Sequence, residues 1–166
     1  MYRFAGAACA WAIFLAGAAA ADAQDALTGK MAQYAHLLGG SWSCTTQVPA
    51  TGATAAHEDR STAIFVAAPG GVLHDHIGAE DYSGDFYIGF DVRTQHYWLT
   101  GADTLGTDIS LVSSDGLHFS GTSSMGGIVM NDRATYTNLT PDRTQSHEVF
   151  TRPGVEAIFD TSCTRS

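Results

Sequence analysis

Gly40-Ser41-Trp42-Ser43-Cys44 is the stretch on which the reading of the fold turns. Alternation along a strand puts Trp42 and Cys44 on one face. Upstream, Leu27, Met31, Tyr34, Ala35 and Leu38 recur at helical spacing, which predicts a short amphipathic helix over 25–38 ending at Gly39-Gly40. Downstream, short runs rich in Val, Ile, Thr, Tyr, Phe and Trp alternate with turn clusters, and no second helical period appears. Strands are expected at 41–48, 56–67, 71–79, 84–92, 95–101, 105–112, 117–123, 126–138, 143–151 and 154–164. Ala68-Pro69-Gly70-Gly71, Thr140-Pro141-Asp142 and Pro153-Gly154 are among the turns that separate them. The pattern predicts an all-β fold: a closed antiparallel up-and-down β-barrel of about ten strands, preceded by one short helix.

The cysteines favour closure over an open sandwich. Cys44 lies in the first expected strand and Cys163 in the last, and a closed meander makes those strands neighbours. The third cysteine, Cys9, falls in an apolar leader. Arg3 supplies a basic start, Cys9 to Ala21 is small and apolar, and Ala21-Asp22-Ala23 fits the small-x-small pattern of a cleavage site. The expectation is a signal peptide over 1–23, a single barrel domain over 24–166, and a periplasmic or secreted protein with no membrane anchor after cleavage. In such a compartment Cys44 and Cys163 should pair as a disulfide.

With 8 basic and 17 acidic residues the chain has a formal charge of −9. Its one lysine, Lys30, and scattered arginines form no basic stripe, which argues against nucleic-acid partners. Oligomeric state is not legible in the sequence. Period two and the cysteine face predict an inward row Val155, Ala157, Phe159, Thr161 and Cys163. The same alternation turns inward Phe86, Ile88 and Phe90, Tyr97 and Leu99, Ile109 and Leu111, Leu117 and Phe119, and Met130, Ala134 and Tyr136.

The run Leu37-Leu38-Gly39-Gly40-Ser41-Trp42-Ser43-Cys44, then Tyr87-Ile88-Gly89-Phe90-Asp91 with Tyr97-Trp98, and the ending Cys163-Thr164-Arg165 resemble the calycin barrels: lipocalins, fatty-acid-binding proteins and nitrobindins. They are also similar to a family of exported bacterial lipocalin-like proteins of unknown function. The resemblance implies that Trp42 packs at a closed barrel end beneath an arginine, Arg165 by position or else Arg152. It also implies a ligand-sized cavity.

Four kinds of chemistry are open on these residues. The first is binding of a small, largely apolar ligand by Phe86, Phe90, Tyr97, Phe119, Met130, Tyr136 and Phe159. The second is an isomerase or cyclase with Asp132, on the face of Met130 and Tyr136, as buried acid or base. Ser123 sits among turn-like neighbours and is assigned no part in it. The third is a metal or haem barrel: His74 and His76 have a spacing that metal sites use, and His147 is the candidate axial haem ligand suggested by the nitrobindin likeness. Leu73 and Ile77 compete for the inner face and would turn both of those histidines outward. The fourth is an envelope interaction module with Trp98 and His74 on its outer face. No cofactor is assigned, and the chain reads more readily as a binding protein than as an enzyme.

Overall fold

The computed structural model describes residues 29–50 and 54–166. The leader, the proposed cleavage site and the expected first turn of the helix lie outside the described residues. Helix α1 spans Lys30–Leu38 and buries Met31, Tyr34 and Leu38. Gly40 adopts φ 116° and redirects the chain into β1. Ten strands follow: β1 (Gly40–Val48), β2 (His57–Ala68), β3 (Val72–Gly78), β4 (Ser83–Asp91), β5 (His96–Asp103), β6 (Thr107–Ser113), β7 (His118–Met125), β8 (Ile128–Leu139), β9 (Arg143–Arg152) and β10 (Val155–Arg165).

Each strand pairs antiparallel with the next, and β10 pairs with β1, so the sheet closes into a barrel without a free edge. At the seam Cys44 lies opposite Cys163, and the two form a disulfide. The bridge therefore ties the first strand to the last across the pair that closes the sheet.

Helix α1 plugs one end. Met31, Tyr34 and Leu38 pack with Trp42, Phe65, Leu73, Ile88, Tyr97, Leu111 and Phe119 in a single apolar cluster. Polar contacts hold the plug in place: the Trp42 indole donates to Leu38 O at 2.6 Å and the Tyr34 hydroxyl to Gly116 O at 2.9 Å. The Arg165 guanidinium lies 4.5 Å from the Trp42 ring centroid and donates to the carbonyls of Leu37, Gly39 and Pro141. One side chain thus covers the indole face and satisfies carbonyls that the helix end leaves free.

Two details of the inner face depart from strict alternation. A bulge between Tyr136 and Asn138 shifts the register on β9, so both Tyr136 and Leu139 join the closed-end cluster. Leu117, expected inward, is 37% exposed because β7 begins only at His118.

Candidate functional site: the open half of the barrel

The inner face is not uniformly filled. At the plugged end Leu38, Trp42, Leu73, Ile88 and Leu111 have essentially no accessible surface. Along β9 and β10 the register also turns Ser146, Glu148, Phe159 and Thr161 inward, yet each keeps part of its surface accessible. Side chains that face the inside of a closed sheet and still touch solvent-sized space line a hollow. Its walls are aromatic. The Phe150 and Phe159 rings meet edge to face at 5.5 Å, and the Phe86 ring crosses the inner positions of Gly84 and Gly101, where any Cβ would strike it.

Three carboxyls point into this hollow. Asp75 pairs across the sheet with Phe65 and Phe86, Asp132 with Gly121 and Phe150, and Glu148 with Ala134 and Phe159. Asp132 is 1% exposed and Asp75 7%. Burial pushes the Asp75 carboxyl up to about 8, helped by the charge of Asp85. Burial likewise raises Glu148 to about 8, with the Asp132 charge and a hydrogen bond shared with Asp132 adding to it. Asp132 is raised by burial, against the hydrogen bonds it accepts from Ser123 and Glu148. Asp132 and Glu148 therefore titrate as a pair, and burial favours its protonated forms.

Tyrosines surround these acids. Tyr136 feels the charges of Asp75 and Glu148, as does Tyr82 in the β3–β4 turn, whose phenol is pushed up to about 12 mainly by burial. Asp75 Oδ1 is buried with no hydrogen-bond partner, and Asp132 Oδ1 has none apart from the pairing of Asp132 with Glu148. Buried polar atoms in proteins are nearly always paired, so the orphaned Asp75 oxygen marks a place where a donor is missing.

The residues singled out from sequence divide into three groups. Phe86, Met130 and Phe159 face inward around the hollow with Asp132, and Tyr136 stands between the hollow and the closed-end cluster with its ring against Phe119. Phe90, Tyr97 and Phe119 belong to the plugged end, where Tyr97 packs on Tyr34 and Phe90 at 5.3 and 4.9 Å, with the Lys30 ammonium over both of its neighbours Phe90 and Tyr97. The histidines lie outside. His147 alternates with the inward Glu148, sits on the outer face and pairs with Asp160 at 2.7 Å, so it cannot serve as an axial haem ligand from within. His74 and His76 flank the inward Asp75 and both approach Asp85 Oδ1, at 2.8 and 3.0 Å. Their rings converge on a carboxylate oxygen and not on a common vacant point. Among the described residues no group of three or more His, Cys, Asp or Glu is arranged to hold a metal ion.

Sequence reasoning missed Asp75, Glu148, Phe150 and Ser123. Asp75 was within reach of parity, since it shares the face of Leu73 and Ile77. Glu148 was hidden because its neighbour His147 drew the inward assignment. Ser123, placed among turn-like residues from sequence, is instead a buried member of β7 that donates to Asp132 Oδ2. Asp132, read as inward from Met130 and Tyr136, is a fully buried member of β8.

A closed, helix-plugged, ten-stranded antiparallel barrel with an acidic, aromatic-walled hollow is compatible with the calycin-like class. The particular protein is not identified by comparison: no protein-family model and no curated protein matches the chain.

Proposed function

We propose that this chain is an exported binding barrel that takes a small, largely apolar molecule into its open half. One observation carries the reading: the inward-facing side chains Ser146, Glu148, Phe159 and Thr161 on β9 and β10 remain accessible although the sheet is closed. Phe86, Met130, Phe150 and Phe159 supply the apolar wall, while a few convergent polar groups, Tyr136 and the carboxyls, set orientation. The Cys44–Cys163 disulfide is consistent with an oxidising, extracytoplasmic location.

Native mass spectrometry of the mature protein, taken from its own compartment, tests the reading against the same sample denatured. An adduct of organic mass lost on denaturation supports it. A bare chain that also fails to enhance the fluorescence of N-phenyl-1-naphthylamine, a neutral apolar dye, refutes it.

The proton shared by Asp132 and Glu148 supports a second reading. An acid and a base on one inner surface can move a proton between two positions of a substrate without any co-reactant, as an isomerase requires. Under that reading Asp132→Asn abolishes turnover while substrate affinity persists; unchanged turnover removes it.

A further inference from the structure

The interior carboxyls have no cation of their own. Four of the chain's eight basic residues, Arg60, Arg93, Arg133 and Arg143, are exposed on the outer surface. Lys30 and Arg165 are committed at the plugged end, and Arg152 is exposed at the open rim. The remaining one, Arg3, lies outside the described residues. Asp75, Asp132 and Glu148 thus sit among Phe65, Phe86, Phe150 and Phe159 with only hydroxyls and one another for company; Asp75 Oδ1 has no donor at all and Asp132 Oδ1 none but Glu148.

A neutral apolar ligand would leave those oxygens as they are, and an anion would be repelled. A ligand that brings several N–H donors and a positive charge satisfies both needs at once, because ammonium donors bond carboxylates more strongly than neutral donors do. Aromatic faces stabilise the same charge. We propose that the open half of the barrel is a site for an organic ammonium ion, a primary or secondary amine whose charged head sits among Asp75, Asp132 and Glu148 and whose alkyl or aryl body lies against Phe86, Phe150 and Phe159.

The inference rests on the binding-barrel reading and narrows its ligand class. The titratable groups facing the head are Asp75 from β3, Asp132 and Tyr136 from β8, Glu148 from β9 and Tyr82 from the β3–β4 turn. His57, Asp59, Asp103 and Arg152 stand at the rim. In the empty barrel at pH 7 Asp75 is protonated and the Asp132–Glu148 pair retains a proton. A bound cation favours ionisation of all three, so binding expels up to two protons.

The experiment is displacement of N-phenyl-1-naphthylamine from the full mature chain at pH 7 by n-octylamine, n-octanol and octanoate. Octylamine is expected to compete at a concentration about tenfold or more below octanol, with octanoate no better than octanol. Calorimetry in phosphate and in Tris should report release of between about one and two protons per octylamine bound. Glu148→Gln, Asp132→Asn and Asp75→Asn keep side-chain shape, and at least one of them should collapse the amine-to-alcohol ratio, taken within each variant, toward unity. Equal competition by octylamine and octanol, with the dye still taken up, overturns the ammonium assignment and leaves the binding barrel standing. Absence of dye uptake by a folded barrel overturns both.

Discussion

Asp75→Asn should make the barrel more stable, and by an amount that grows with pH. The carboxyl is 7% exposed, lies between Phe65 and Phe86, and is pushed from an ordinary value of 3.8 up to about 8. Between those two values the folded chain keeps a proton that the unfolded chain has lost. The unfolded state then binds fewer protons, so stability is full below about pH 4 and declines as pH rises toward 8. Each pH unit in that window costs about 1.4 kcal/mol, which sets a ceiling of about 4 kcal/mol at pH 7. Asparagine keeps the shape of the neutral acid and carries no proton to lose. Urea unfolding of both proteins at pH 5, 6, 7 and 8 would read the difference. The expected result is a gap between variant and parent that widens steadily with pH, above any fixed offset from the amide. A constant gap, or a parent whose stability rises from pH 5 to 8 in parallel with the variant, would refute the placement of Asp75 as a buried, unpaired acid.

Other outcomes follow from the same structure. Cys44→Ser with Cys163→Ser opens a loop whose ends are 119 residues apart in sequence, and the chain-entropy relation gives a loss of about 5 kcal/mol, measurable as a drop in the urea midpoint. Gly121→Ala places a methyl against Ser110 O across the β6–β7 pair, and because backbone cannot yield, a cost of about 1–3 kcal/mol is expected in the same assay. Arg165→Gln removes the guanidinium from the Trp42 face and from the carbonyls of Leu37, Gly39 and Pro141. The expected loss is about 1–3 kcal/mol, with faster hydrogen exchange confined to α1 and the start of β1.

The architecture was legible in the sequence because its signals are local. Alternation, turn residues such as Pro153-Gly154, and the Gly39-Gly40 break each act over a few residues, and every expected strand has an observed counterpart within a few residues of its expected bounds. Cys44 and Cys163 added the one long-range statement the chain makes openly, the pairing of its first and last strands. The interior was legible only in part, since parity says which way a side chain points but not what it meets. Parity put Phe86, Tyr97, Phe119 and Phe159 on one surface. Which of them close the plugged end with α1 and which border the hollow depends on position along the barrel axis, and that follows from strand stagger.

The acids show the limit most clearly. Asp132 could be read as inward from Met130 and Tyr136, and Asp75 from Leu73 and Ile77. That Asp132, Glu148 and Ser123 share one hydrogen-bonded cluster, with Asp75 facing the same interior from β3, depends on strands far apart in sequence meeting in a closed sheet. The sequence alone therefore determined the barrel, the leading helix and the staple, because propensity and alternation are properties of neighbours along the chain. The tertiary structure decided the charge of the interior, because the ionisation of a buried carboxyl depends on solvent exclusion and on groups that only folding brings near.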